Sequence, residues 1–595
     1  MGTSTMQVPA SAAHRNYDKR PVMDVPGDHP AWSGREAWTA ITAHAAGGTI
    51  VVDAYPASDV QALGAVAHEA LPRAEVIDVE REAALDPDRI QSLLERNLTA
   101  DRVFGLVSHH RLEEFYDASR LRALAERVSS AEHQCVLVGW GASLVPLAPS
   151  ALVLADLARA EIQRRYRAGA GNWRADNGDQ DALAKFKRGY FVEWRVADRH
   201  KTGLLERADF VLDANGPLET APMTTGDALR EGLRSAVHRP FRLAPFFDPG
   251  VWGGQWMKEV CGLDPEQDNY AWCFDCVPEE NSLLLAVGDQ VLEIPAIDLV
   301  LSHPRELLGE RTFARFGAEF PIRFDFLDTM DGGNLSLQVH PLTEYIKETF
   351  GMTFTQDESY YLLDAAEDAR VYLGLRTDAD PEEMVSRLRS ADAGESSFPA
   401  ERFVNTFPAR KHDHFAIPAG TVHASGAGSM VLEISATPYI FTFKMWDWGR
   451  VGLDGAPRPI HLEHALASVQ WDRDTEWTRQ QLVDRVVPIA EGPGWREERT
   501  GLHELEFIEV RRHWFTDAVD HDTEGTVNVL NLVEGPEAVV ESPHGAFAPF
   551  VVHYAETFIV PAEVGAYRIR PHGVGEGVQH ATVKAFVDGT AARAS

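Results

Sequence analysis

The chain is poor in cysteine, in basic residues and in long apolar runs. Four cysteines in 595 residues cannot build a disulfide framework, which excludes the small stapled secreted scaffolds and fits a reducing cytoplasm. Cys273 and Cys276 form a lone CxxC, whereas a structural zinc site wants a second pair, and Cys135 and Cys261 stand singly and far off. Buried thiols are the plainer reading. Lysine and arginine total 56 against 90 aspartates and glutamates, a net charge of −34, which argues against nucleic acid or an anionic membrane as the main partner. No apolar run reaches the roughly 18–20 residues of a membrane helix. Residues 1–30 open without the apolar core of a signal peptide and read as a disordered lead-in. What is left is an ordinary globular composition, long enough to require two or more domains.

The texture of the sequence changes once. From 31 to 238, strand-like and helix-like segments alternate: Gly48–Pro56 (GTIVVDAYP) is an apolar β-branched run ending in a turn, and Asp59–Leu71 follows with helical spacing. AEVIDV, RVFGLVS and CVLVGWGASLV continue the alternation, which predicts an α/β domain with a mostly parallel sheet. From about 239, short alternating segments, Gly/Pro turns and paired aromatics predict mainly-β domains of sandwich or barrel type with helical insertions at Thr343–Gly351 and Pro381–Ser390. The segment 501–595 is β-like again, so the expected divisions are 31–238, 239–500 and 501–595.

Four strings within 334–450 carry the chemistry: NLSLQVHP, QDESYYLL, IPAGTVHA and VLEISATPYIFTFKMWDWGR. Gln338 and His340 are two apart in an apolar strand pattern, so their side chains leave one face, with Ser336 one pleat back. Glu358 precedes an apolar strand, and His423 follows a Pro-Ala-Gly turn. Two imidazoles, a carboxylate and an amide oxygen suit Zn²⁺ with one position left for water. Taken singly, each residue has a commoner structural role, and only their joint occurrence points to a metal.

These strings, with FRLAPFFDPGVWGGQWMKEV (Phe241–Val260) upstream and DWGRVGLDGAPRPIHL downstream, resemble the class I mannose-6-phosphate isomerases, zinc-dependent cupin (jelly-roll) enzymes. The resemblance covers residues 239–595. It implies one Zn²⁺ on Gln338, His340, Glu358 and His423, an active-site arginine at Arg450, a sugar-phosphate contact at Ser336, and an acidic residue proposed for proton transfer at Glu433. It also exposes a departure, since the family usually carries a lysine two residues before the zinc-binding glutamate. Gln356 stands there, at the substrate end, and Lys444, Lys411 and Arg458 are the cations available to compensate.

The stretch Ser150–Lys201 is locally basic and resembles the arginine-rich lid region of P-loop nucleoside kinases. However, Asp53, Ala54, Tyr55 and Pro56 occupy the turn where glycines and a lysine would cradle phosphate. A degenerate domain with a binding or assembly role is expected, its basic residues commonly paired with Glu161, Asp181, Glu193 and Asp198. The implied activity is interconversion of mannose 6-phosphate and fructose 6-phosphate through an enediolate. The alternatives are isomerisation of a different, unphosphorylated sugar, or sugar sensing without turnover. The expected partner is a small sugar phosphate, with neither nucleic acid nor membrane.

Overall fold

The computed structural model describes residues 16–588 apart from 437–439, 453–454, 456–457, 502 and 504. It divides into two compact units, one of Pro21–Ala236 with Pro278–His303, the other of Met1–Arg20, Val237–Val277 and Pro304–Ser595. Most of the 1–30 stretch read as a lead-in lies outside the described residues or ahead of the first helix, yet Val22–Asp24 pairs in parallel with Ser282–Val287. No helix among the described residues is long and apolar enough to cross a membrane.

The first unit is built on a seven-stranded sheet in the order Ala31–Ser33, Pro222–Thr225, Phe210–Asp213, Ala151–Asp156, Ile50–Ala54, Cys135–Gly139, Glu75–Asp78. The last five strands run parallel, and the first two join antiparallel at one edge. Ile50–Ala54 and Ala151–Asp156 are buried along their whole length, as strands covered on both faces must be. The Asp59 carboxylate caps helix Val60–Ala70 by accepting from the Ala62 amide. A hairpin of Ser282–Val287 and Gln290–Pro295, with helix Ile297–Ser302, belongs to this unit although it lies beyond residue 239 in sequence.

At the carboxyl end of Ile50–Ala54 the unit's own side chains fill the space. Asp53 accepts from the Gly141 and Ser143 amides and from His200 at 3.0 Å. Lys201 bridges Asp156 and Asp298 at 3.1 and 2.6 Å. Arg159 pairs with Asp198 at 2.8 Å, and its guanidinium lies over the Tyr55 and Trp194 rings. The basic stretch is laced with ion pairs: Arg164 and Arg165 hold Glu161, and Arg188 holds Glu193.

The second unit carries two pairs of antiparallel sheets. The first pair is a six-stranded sheet ordered His414–Ile417, Glu358–Ala365, Ser429–Ala436, Ile322–Asp328, Trp272–Cys276, Phe246–Asp248, and a five-stranded sheet ordered Val404–Pro408, Arg370–Leu375, His423–Ser425, Leu337–Val339, Phe443–Trp446. The second pair comprises the six strands Val487–Gly492, Trp495–Gly501, Ile508–Phe515, His580–Val587, Asn528–Glu534 and Thr557–Val560, with a four-stranded partner. A dry core of Phe515, Leu530, Leu532, Val540, Phe558 and Ile569 lies between these last two sheets. The Trp252-Gly253-Gly254 segment packs backbone to backbone against Gly332, where a Cβ would stand 2.4 Å from the Trp252 carbonyl oxygen. Only glycine allows that approach. All four cysteines are buried and free.

Candidate metal centre

Sheet register brings the predicted ligands together. Gln338 lies directly across from His423 on one neighbouring strand and from Lys444 on the other, so all three side chains share one face. On the facing sheet, Glu358, Ser435 and Arg323 form one cross-strand row, and Tyr360, Glu433 and Asp325 form the next row inward. Strand alternation turns both rows to the same interior.

Within that interior His340 Nε2 lies 3.0 Å from Glu358 Oε2, and His423 Nε2 lies 2.9 Å from Glu358 Oε1. The three residues are almost fully buried, at 1%, 2% and 0% exposure for His340, Glu358 and His423. The Gln338 amide is 3.2 Å from His423 Nε2 through its nitrogen, and the Ser336 hydroxyl is 3.0 Å from the amide oxygen. Amide orientation is fixed by the local hydrogen bonds, and a flip would turn the oxygen onto the same point.

The outer contacts decide what this cluster can hold. His340 Nδ1 is 3.0 Å from the Phe441 carbonyl, and His423 Nδ1 is 2.8 Å from the Thr421 carbonyl. A carbonyl only accepts, so each Nδ1 carries the proton and each Nε2 turns a lone pair inward. Two lone pairs and a carboxylate then face one another, with the Gln338 and Gln356 amide nitrogens, each at 3.2 Å, as the donors beside them, and neither His340 Nε2 nor Glu358 Oε1 makes a well-formed hydrogen bond. Such a set is satisfied by a cation. Ligand bonds of about 2.0–2.2 Å in a tetrahedron put donor atoms roughly 3.3–3.6 Å apart, slightly wider than the separations here. The donor set therefore fits a divalent metal, and outer hydrogen bonds of this kind orient metal-bound histidines.

The Pro-Ala-Gly turn sets the position of His423. Gly420 sits at φ +84° and donates to the His340 carbonyl at 3.0 Å, which ties the two ligand-bearing segments together. A Cβ there would meet Gln470, Leu342 and the Ser468 carbonyl at 2.7–2.9 Å.

The remaining predicted residues divide. Gln356 is buried, and its amide donates to Glu358 Oε2 at 3.2 Å, so it touches the ligand set. Glu433 lies one pleat further inward, accepting from Arg323 at 2.6 Å and from the Ser435 hydroxyl at 2.9 Å, both on Oε1. Arg323 also pairs with Asp325 at 2.6 Å. Burial, then the Glu358 charge, pushes the Glu433 carboxyl well up, with Arg323 opposing. Arg450 pairs with Asp447, whose other oxygen takes Arg458 at 2.6 Å. Of the three cations available to replace the expected lysine, Lys411 is spent on Glu534 and Arg458 on Asp447. Lys444 has no ion pair or hydrogen bond from its ammonium among the described residues. Burial, then Arg458, lowers its pKa to about 8, with Asp447 opposing. Arg323 and Asp325 escaped the sequence reading, though their alternation with Ile322, Phe324 and Phe326 marks them as one face of a strand. Residues 437–439 of the fourth string lie outside the described residues.

Residues 34–238 match a family model described as a domain of unknown function, DUF8485. The mannose-6-phosphate isomerase of Streptococcus mutans is 27% identical over 218 residues, 36% of this chain and 63% of that protein. Mannose-6-phosphate isomerase ManA of Bacillus subtilis is 25% identical over 342 residues, 57% of this chain and 94% of its own length. The crystal structure of the mannose 6-phosphate isomerase from Bacillus subtilis aligns at a TM-score of 0.47 and 20% identity, covering 58% of this chain and 99% of that one.

Proposed function

We propose that residues 239–595 form a zinc-dependent cupin isomerase that interconverts mannose 6-phosphate and fructose 6-phosphate. One observation carries the reading: both imidazoles are locked by backbone carbonyls so that their Nε2 lone pairs converge with the Glu358 carboxylate. His340, Glu358, His423 and the Gln338 amide would hold the ion, with Ser336 orienting the amide. When bound, the metal supplies a Lewis acid for the substrate oxygens at the two reacting carbons. Aldose–ketose exchange needs a group that takes a proton from one carbon and returns it to the next. Glu433 has that role here: Arg323 and Ser435 fix its Oε1, leaving Oε2 to receive and return the proton. Lys444, half-buried and unpaired beside Gln338, supplies the positive charge that Gln356 does not, and Arg450, held by Asp447, adds a second. The reducing cytoplasm is the proposed setting, in keeping with four free buried thiols. The DUF8485 segment is assigned a binding or assembly role.

A second reading rests on Gln356. Its amide is committed to Glu358 where a lysine is expected, which favours a different, unphosphorylated sugar, or a sugar-sensing protein without turnover. A coupled assay of zinc-loaded protein on phosphorylated and free hexoses separates these. Turnover of mannose 6-phosphate is expected. Turnover confined to free sugars, or binding without turnover, would overturn the proposal in favour of the second reading.

A further inference from the structure

A second cleft, of 620 Å³, lies among Gln470, Arg473, Trp477, Arg485, Arg499 and His503. None of the four metal-site ligands lines it, and Asp472 is the one carboxylate among its described lining residues. In a chain of net charge −34, three arginines sharing a cleft with a single acid among its described lining residues require an explanation.

The partners of those arginines sharpen the point. Arg473 is 7% exposed, and its guanidinium donates to the Pro418 and Ala419 carbonyls and the Thr421 hydroxyl, all neutral acceptors. It lies over the Trp477 ring at 5.2 Å. Among the described residues Arg485 reaches the Gln480 carbonyl and no acid. Arg499 makes no ion pair or side-chain hydrogen bond among the described residues, although its cross-strand neighbour is Arg511, a like-charge pairing that costs stability. Arg511 takes Glu497 and Glu509 for itself, so neither of those acids serves Arg499. Elsewhere in this molecule buried arginines hold carboxylates, as Arg159, Arg242 and Arg323 do. Guanidinium forks gathered with no carboxylate ion-paired to them among the described residues are an arrangement that binds a phosphate, and the Trp477 face offers an apolar wall for the group it is attached to.

We infer that this cleft binds the phosphate group of a small phosphorylated molecule through Arg473, Arg485 and Arg499. The same chemistry has two sources: the phosphate of a sugar phosphate whose other end reaches the metal site, or a separate phosphorylated effector. The inference stands whichever sugar the metal site takes.

Calorimetric titration of the zinc-loaded full chain with inorganic phosphate, mannose 6-phosphate and mannose tests it. The two phosphate-bearing probes bind and mannose does not compete for the cleft. Arg485→Glu and Arg499→Glu, both on side chains that support no other residue's charge, each weaken phosphate binding tenfold or more, with zinc content and melting temperature kept. If phosphate competes with the sugar substrate and the variants raise KM, the site belongs to the substrate. If phosphate still binds at saturating sugar phosphate, it serves an effector. Wild-type protein that binds no phosphate, or variants that bind it as tightly as wild type, would overturn the inference. Binding is read directly, so a failure of the isomerase proposal leaves this result standing.

Discussion

Replacing His423 with alanine tests the metal site most directly, because the effect of the metal can be separated from that of the lost packing. His423 is fully buried and stands edge-on to Tyr360 at 5.9 Å, so the substitution destabilises the fold whether or not a metal binds. The informative quantity is the response to a chelator within each protein, from which the packing loss cancels. An ion present at 100 to 1,000 times its Kd stabilises the native state by about 2.7–4.1 kcal/mol. In domains of 150–250 residues each kcal/mol moves Tm by about 2–4 °C, so chelation should lower the wild-type transition by roughly 5–16 °C. Disturbing only an outer partner of a metal ligand costs about 10–100-fold in affinity, and removing the ligand itself costs at least as much. The variant's response should therefore fall by at least about 1.4–2.7 kcal/mol, leaving a shift of a few degrees or none. Differential scanning calorimetry with and without EDTA, alongside zinc content by mass spectrometry, measures both. Equal chelator responses in the two proteins, or a wild type that neither carries zinc nor melts higher when zinc is added, would refute the ligand assignment.

Three further outcomes are expected. Lys444→Met should raise KM for a phosphorylated substrate about tenfold, the loss of one partly desolvated charged contact, while kcat and zinc content change little; an unchanged KM removes Lys444 from the substrate site. Gly420→Ala forces a side chain into a left-handed turn already crowded on three sides and should cost about 1–3 kcal/mol, seen as a lower denaturant midpoint together with weakened zinc retention. The Asp53–His200 pair gives the α/β unit a pH dependence of known sign. Burial lowers His200, but Asp53 outweighs it and raises the folded-state pKa above 6.5, so the pair's contribution is complete below pH 6.5 and is lost as pH rises through that raised value. Asp53 is lowered by His200 and Ser143 against its burial, so its own contribution fades only as pH falls through its depressed pKa. Melting curves from pH 6 to 9 should show the unit weakening on the alkaline side in wild type, and His200→Gln should flatten that slope.

The sequence alone determined the ligand types and their local geometry. Period-two spacing places Gln338 and His340 on one face, and the Pro-Ala-Gly turn before His423 announces a strand start, because both facts are fixed by nearest neighbours along the chain. The alternation of apolar runs and helical spacing from residue 31 likewise yields the parallel sheet. Other features depend on partners distant in sequence. Glu433 reads as a free carboxylate until Arg323, 110 residues away, is seen to hold it. Arg450 reads in the sequence as an active-site cation, with an ion pair to Asp447 as the alternative, and only the packed structure shows Asp447 shared between Arg450 and Arg458. The hairpin at 282–295 reads as part of the β segment, yet it is packed with the α/β unit because Val22–Asp24 offers it a strand edge. Which cations remain unpaired is a property of the whole packed molecule, since a charge is free only when every neighbour has been counted. For that reason the candidate ligands of the proposed metal site were legible in the sequence, whereas which of Lys444, Lys411 and Arg458 keeps its charge unpaired, and the arginine cleft, were decided only by the tertiary structure.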